Sequence, residues 1–569
     1  MTNKLSKIGI TFLVCFLFAF MLCIFGPSEI FFANVTGFKF VYGDFGGYMA
    51  LLALAAAVIL TAVIAFLPDK IHGVLLSVVF GISLAGYIQV MFLNKNLDLL
   101  GVTQERYKIR SGGAILNIII WLVIITAAVT LFFIKSDIWE KLVSGLSAFL
   151  LCIQLVALVF LLISADKSAY KRPEYIWHLS GEDQYTVSAN KNVIVLILDY
   201  FSNQYLAPCY EEYPDATDFL HDFTYYSNMD CTYFGTFPSL PHMLTGQEVV
   251  MSQPVDDWCM DIWKSEETTA FYGRLAENNF KFNVYTPEIN ILCGLNDAKM
   301  LDGMISNITD DAQDIAVDHK LLFKTIIKMS AYRMFPEILK TYFYADVDEY
   351  EDIVYTDVNR INYKNSDFYH GLIDNGLHAD ENANYVIFQH LMGPHYLTTD
   401  ANGEYKEYAS LAETVKGCMV IVEEYLNRLK ELGVYDDATI IITADHGDVN
   451  DSQVIFYIKE PGETHEVSPV TNAPASFNEF MPTIANAAGL DSSNYGQTIY
   501  DFSQDELRER TVWVRKDDSD YPQVPCYTGL KDGDSNVYYG YTYTGDIDDL
   551  LNQISEGPNV IIPMADSFW

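Results

Sequence analysis

Positive charge is scarce in this sequence: 35 Lys and Arg stand against 74 Asp and Glu in 569 residues, a formal net charge of −39 at pH 7. A surface so negative repels phosphate backbones at long range, which argues against a nucleic-acid binder. Cysteine is sparse too, with nine widely spaced residues, so a disulfide-dense miniprotein is excluded. Six of them (Cys209, Cys231, Cys259, Cys293, Cys418 and Cys526) lie beyond residue 165, and without any Cys-x-x-Cys pair both disulfides and free thiols stay open. Glycine and proline, at 34 and 19 residues, are too few for collagen-like repeats, and a chain that is 50% hydrophobic is not a disordered one.

The charge is also unevenly placed. Residues 1–165 hold 10 Lys and Arg and 7 Asp and Glu, whereas residues 166–569 hold 25 and 67. Charge is missing altogether from five apolar runs in the first part: Ile8–Gly26, Gly47–Leu67, Val74–Leu93, Ala114–Ile134 and Val143–Ile163. Each is long enough to cross a hydrocarbon layer of about 30 Å as a helix. Five in succession rule out a cleaved signal peptide. An odd number of spans puts the acidic part on the side opposite the N-terminus, and Lys4 and Lys7 suggest a cytoplasmic start. The loop basic residues Lys95, Arg106, Lys108 and Arg110 oppose that orientation unless the stretch 95–112 lies at the interface on lipid headgroups.

After a polar stretch at 166–190, read as a linker, comes Val193–Leu198, a β-branched apolar run closing on Asp199. Runs of this shape are strands buried on both faces. Phe282–Thr286, Tyr385–Gln389 and Thr439–Thr443 repeat it, and Leu411–Leu432 between them has helical spacing with Gly433 as a stop. Strands alternating with helices give a mostly parallel sheet, whose ligands bind beyond the carboxyl ends of the strands. There the sequence delivers Asp199, then His390 and His395, then Asp445-His446-Gly447-Asp448. These residue types ligate metals and act on phosphate.

The segment from Cys231 to Gly246, with Thr236, Pro238, Ser239 and Leu244-Thr245-Gly246, resembles the signature of the sulfatase and alkaline-phosphatase superfamily, Cys/Ser-x-Pro-Ser-Arg followed by Leu-Thr-Gly. Two positions depart from it. Thr236 stands where sulfatases oxidise a cysteine to formylglycine, and Leu240 stands where an arginine supports it. A threonine there is similar to the membrane phosphotransferase branch, which includes lipoteichoic acid synthases and lipid A phosphoethanolamine transferases. That resemblance implies a cation site of Asp199, Thr236, Asp445 and His446 holding one divalent metal, Mn²⁺ or Zn²⁺, with His395 facing the substrate phosphoryl group. Asp199 is often Glu in that branch.

The resemblance further implies an N-terminal α-helical membrane domain of five spans (1–165), a linker (166–190), an α/β sulfatase-like domain with a mostly parallel sheet (191–515) and a C-terminal extension packed on it (516–569). Its expected activity is transfer of phosphoglycerol or phosphoethanolamine from a membrane phospholipid to an extracytoplasmic glycan, polymer or lipid, by way of phosphothreonine, in a multi-pass protein of the cell membrane. The catalytic part is expected outside the cytoplasm, with no nucleic acid as partner. The alternatives are a phosphodiester or sulfate-ester hydrolase on the same scaffold and a non-catalytic lipid-sensing relative. His242 is expected to cap or pack rather than ligate, and Lys531–Asn536 to be a plain turn rather than a calcium loop.

Overall fold

A run without charge offers nothing polar to water, and a helix satisfies its own backbone groups, so such runs become helices in a bilayer. The computed structural model of the chain describes residues 4–35, 38, 40–94, 111–171, 177–287, 289–294, 296–310, 315–345, 353–356, 361–448, 453–516 and 537–563. Among these, five helices are long and apolar enough to cross a membrane: Ser6–Ala33, Tyr42–Ala65, Asp69–Leu93, Gly113–Ile134 and Ser136–Ser164. They coincide with the five expected runs. Most of the basic stretch expected at the interface, 95–110, and the turn expected at Lys531–Asn536 lie outside the described residues.

The chain divides into two compact units. One comprises Met1–Tyr175 and Ala312–Asp357, the other Ile176–Asp311 and Val358–Trp569. The first unit therefore contains a segment from the middle of the sequence. Its neck is closed by antiparallel pairing of Ile315–Val317 with Val354–Thr356, and between them lie the helices His319–Met334 and Glu337–Lys340. Leu322, Ile326 and Met329 of the longer helix share an apolar cluster with Ile30, Phe31, Phe40, Phe45 and Met49.

The second unit is built on a seven-stranded sheet. In chain order its strands are β1 (Asn192–Leu198), β2 (Thr224–Tyr226), β3 (Phe280–Tyr285), β4 (Asn384–Leu391), β5 (Thr439–Thr443), β6 (Phe456–Lys459) and β7 (Val470–Thr471). Their spatial order is β7-β2-β6-β5-β1-β4-β3. The pairings β5–β1, β1–β4 and β4–β3 are parallel, while β6 runs antiparallel to both β5 and β2. Every residue of β1 and of β5 is buried, as continuous β-branched runs require. The Leu411–Leu432 helix has the expected bounds. Ser410 and Glu413 close a capping box at its start, and Gly433 ends it in the left-handed region.

The stretch read as a linker is more ordered than its polarity suggested. Trp177–Leu179 pairs with Ile308–Asp310, and Thr186–Ser188 pairs with His378–Asp380. Short edge strands carry too few apolar residues for periodicity to reveal them. Towards the C-terminus β8 (Glu509–Lys516), β9 (Val537–Thr544) and β10 (Val560–Pro563) form a separate antiparallel sheet. Thus the Tyr-rich run at 537–543 is a strand, as its composition predicts. The eight described cysteines are free thiols, seven of them buried.

Candidate metal centre and active site

The register of the parallel strands decides what meets at their carboxyl ends. Leu198 of β1 stands beside Leu391 of β4, and Ile197 stands beside Thr443 of β5. The residues that follow, Asp199 and Asp445, thus emerge at one level of the sheet, with His390 at the end of β4 between them. Gly393 then lets the β4 loop cross Asp199 closely. It has φ +56°, and a Cβ there would lie 2.5 Å from both the N and the O of Asp199. Asn365 fixes this loop, accepting from the Gly393 N–H at 2.9 Å and donating to its carbonyl at 2.8 Å.

Two buried carboxylates and three imidazoles result. Asp445 Oδ1 accepts from the backbone N–H of Tyr200 at 3.1 Å and of His446 at 2.9 Å. Its Oδ2 is buried without a hydrogen-bond partner, 3.9 Å from His390 Nε2 and 3.8 Å from His446 Nε2. Asp199 Oδ2 accepts from the Tyr363 hydroxyl at 2.8 Å and lies 3.8 Å from His390 Nε2, while its Oδ1 lies 3.2 Å from His395 Nδ1 and 3.6 Å from His446 Nε2. Burial pushes the Asp199 carboxyl up, but His395, His390 and His446 in their protonated forms outweigh it and hold the group well below the usual carboxylate range.

The second ring nitrogens orient the rings. His446 Nδ1 donates to the Gly447 carbonyl at 3.0 Å, leaving the Nε2 lone pair toward the carboxylates. His390 Nδ1 lies 3.0 Å from Thr286 Oγ1, and the tautomer that donates there leaves Nε2 open, where it is buried without a partner. Asp199, His395 and His446 form one triplet of donors, and Asp199, His390 and Asp445 a second, with the atoms of each inside 4.8 Å of one another. Two buried carboxylates facing unpaired lone pairs need a positive charge among them. The oxygen and imidazole donors fit a divalent first-row cation.

Thr236 opens the helix Thr236–Thr245 just after Gly235, whose φ of +109° is disfavoured for any other residue. The two sides of this turn are anchored at the cluster. Phe234 places its ring 4.9 Å from the His446 ring, and Ser239 Oγ donates to the Asp445 carbonyl at 2.6 Å. The strand β8 holds the approach to it, with Trp513 N donating to Thr232 O at 2.8 Å and Phe234 N donating to Trp513 O at 2.9 Å. Leu240, in the place of the supporting arginine, is buried.

The structure therefore brings Asp199, His395, Asp445 and His446 into one cluster and brackets Thr236 beside it. His242 is buried, its Nδ1 2.8 Å from the Gln247 carbonyl, and His465 pairs with Glu463 at 2.8 Å, so neither belongs to the cluster. Sequence reasoning brought His390 to the rim without giving it a role, and left Thr286 and Tyr363 out. His390 stood at a strand end beside His395, and Thr286 closed the run that became β3. Both carried a positional signal. Tyr363 lies between strands with no signal of its own.

No family model matches the chain. A search of curated proteins finds lipoteichoic acid synthase from Staphylococcus aureus (strain USA300), 27% identical over 218 residues that cover 32% of this chain and 32% of the relative, with the same match in other strains of that organism. This chain resembles lipoteichoic acid synthases. The likeness read from the Cys231–Gly246 segment is thereby met, though the chain spans only about a third of the length of the relatives it matches. Among solved structures, similar chains include a phosphonate monoester hydrolase from Silicibacter pomeroyi (15% identity, 63% of this chain and 87% of that one, TM-score 0.35). Another is the lipoteichoic acid synthase LtaP from Listeria monocytogenes (11% identity, 67% and 93%, TM-score 0.29).

Proposed function

We propose that the chain is a membrane-bound, metal-dependent phosphotransferase. It takes phosphoglycerol or phosphoethanolamine from a membrane phospholipid and passes it to an extracytoplasmic glycan, polymer or lipid through a phosphothreonine at Thr236. The observation that carries this reading is the position of Thr236 on a helix start whose flanking Phe234 and Ser239 touch His446 and Asp445. The likeness to lipoteichoic acid synthase supports the substrate class, and Lys4 and Lys7 support a catalytic half outside the cytoplasm.

Asp199, Asp445, His446 and Thr236 would hold one cation, Mn²⁺ or Zn²⁺, which when bound supplies positive charge against the phosphoryl oxygens and eases deprotonation of a hydroxyl. Thr236 gives up its proton to water as Oγ1 bonds to phosphorus, and the bond from phosphorus to the diacylglycerol oxygen breaks. His395 gives that leaving oxygen its proton. Its side chain is 36% exposed against 2% for His390 and 5% for His446, so it is the ring an incoming lipid meets. In the second step an acceptor hydroxyl returns a proton to His395 and attacks phosphorus, and the Thr236 oxygen leaves and is reprotonated.

The test is intact-mass analysis of the full chain in detergent after incubation with phosphatidylglycerol or phosphatidylethanolamine, followed by peptide mapping. The expected result is a headgroup-phosphate adduct at Thr236 that Thr236→Ala abolishes. Release of free headgroup phosphate with neither adduct nor acceptor product would instead make the chain a phosphodiester hydrolase.

A further inference from the structure

Residues 319–343 invert the charge of the chain around them. In a protein of net −39 they carry Lys320, Lys324, Lys328, Arg333 and Lys340 against Glu337 alone. They lie in the middle of the sequence, yet belong to the unit that contains the five spans.

Within that unit their contacts fall on one side of the spans. His319 and Phe323 meet Tyr48 near the start of the second span, with ring centroids 6.1 and 5.4 Å away. Ser330 Oγ donates to the Leu22 carbonyl of the first span at 2.7 Å, and Arg333 pairs with Glu29 at 3.2 Å. Asn94, just past the third span, donates to the Arg333 carbonyl at 2.8 Å. Ala165 and Ala169, which follow the fifth span, pack with the same apolar cluster as Leu322 and Ile326. The ends of spans one, three and five and the start of span two must share a side in an alternating bundle, so the segment crowns the side from which the chain leaves the membrane.

It also enters the bundle. A Cβ on Gly86 would lie 2.9 Å from Met334 Cγ, and Gly86 is seven residues, about 10 Å, inside the end of the third span. Met334 shares a buried cluster with Leu17, Met21 and Leu150 of the first and fifth spans. The next turn lies along the fourth span, where the Glu337 N–H donates to Asn117 Oδ1 at 3.1 Å. There Ile338, Leu339 and Tyr342 are 49%, 38% and 76% exposed, beside the span that exposes Ile115, Leu116 and Ile119. On the longer helix, Lys320, Lys324 and Lys328 repeat every four residues on the face opposite the buried Leu322, Ile326 and Met329, and Lys320 and Lys324 are exposed.

We propose that residues 319–343 are a sixth membrane contact, an interfacial segment that binds anionic phospholipid headgroups through Lys320, Lys324 and Lys328 and seats Ile338, Leu339 and Tyr342 at the boundary of headgroups and acyl chains. The pairing of a basic row with exposed apolar residues is what such a surface requires, and it continues the lipid-facing surface of the fourth span. The catalytic sequence is thereby tied to the bilayer in its middle as well as at its start. This inference stands whether or not Thr236 is a nucleophile.

The experiment uses the full chain in nanodiscs, with Tyr342→Cys carrying an environment-sensitive NBD dye, in a background where Cys152 and Cys526 are serine. The remaining cysteines are buried, and the same background without Tyr342→Cys serves as the labelling control. Nanodiscs of phosphatidylglycerol are compared with nanodiscs of phosphatidylcholine, with spin-labelled lipid as quencher. The expected result is blue-shifted, strongly quenched emission in phosphatidylglycerol that weakens in phosphatidylcholine and at high salt. Replacing Lys320, Lys324 and Lys328 with glutamine should shift the seated fraction toward water by up to about fivefold per lysine. The salt titration on the unmutated lysines keeps the test intact should the triple variant fold poorly. Water-like, unquenched emission in both lipids would overturn the interfacial placement. Quenching equal in both lipids and unmoved by salt would overturn the anionic headgroup as ligand.

Discussion

Two buried polar clusters of the second unit are built in opposite ways. Around Arg510 the chain supplies both signs of charge. The guanidinium lies 3.0 Å from Asp230, donates at 3.0 and 3.2 Å to the carbonyls of Asn228 and Ala475, and donates at 2.8 Å to Asn228 Oδ1, while the Tyr543 hydroxyl donates to Asp230. At the strand ends, Asp199 and Asp445 bring negative charge into an equally buried place. Asp445 Oδ2 and His390 Nε2 are left facing each other unpaired. The first cluster ties the stretch that leads into the Thr236 segment to the C-terminal sheet. The second gathers carboxylate and imidazole donors that fit a divalent cation. Arg510 Nε is also buried without a partner, but its charge is balanced by Asp230, whereas Asp445 Oδ2 is a buried carboxylate oxygen with no donor, and that imbalance marks where a ligand belongs.

The largest effect expected from this contrast is on chemistry. Thr236→Ala should lower lipid turnover by about 10⁴–10⁶-fold with little change in thermal unfolding, and Thr236→Ser should keep measurable transfer. Near wild-type turnover in Thr236→Ala would remove the covalent mechanism.

Next in size is the completed cluster. Arg510→Met leaves Asp230 buried and uncompensated and should lower stability by about 3–5 kcal/mol. Intrinsic fluorescence during unfolding in detergent reads this, and metal content in the folded fraction should not change. An equal loss of metal would mean that the two clusters are not separate.

Chelation sharpens the other side. Wild type saturated to about 100 times its Kd should lose about 2.7 kcal/mol of apparent stability on metal removal. Asp445→Asn, already short of a donor, should hold little metal by elemental analysis and show no such shift. With one buried negative charge fewer, it should be no less stable than metal-free wild type. A metal-dependent shift that survives in Asp445→Asn would place the cation elsewhere. The smallest effect serves as the baseline: Ser410→Ala removes an exposed helix cap that bonds to neither cluster and should cost about 1 kcal/mol with activity unchanged.

Much of this architecture was legible in the sequence because its signals are local. The absence of charge over twenty residues names a span, the run Thr439–Thr443 names a strand buried on both faces, and Ser410, Glu413 and Gly433 bound their helix without help from elsewhere. Asp199, His390, His395, Asp445 and His446 could be carried to one rim because parallel strands end on one side of a sheet, and each of these residues stands at or after the end of a recognisable strand.

What the sequence alone determined, then, is which segments are apolar, which are strands and which residues they carry to the rim. Tertiary structure decided the rest. Register set His390 between two carboxylates and beside Thr286, the residue after β3. A loop brought Tyr363 to Asp199, across 164 residues of chain. Folding also returned 312–357 to the unit of the spans, where Met334 is buried with Leu17 although more than three hundred residues separate them. The physical reason is common to all three. A residue's type and its neighbours in sequence fix its local conformation, but a partner reached only by closing a loop of a hundred residues or more leaves no periodic trace, because only the folded sheet and bundle bring the two together.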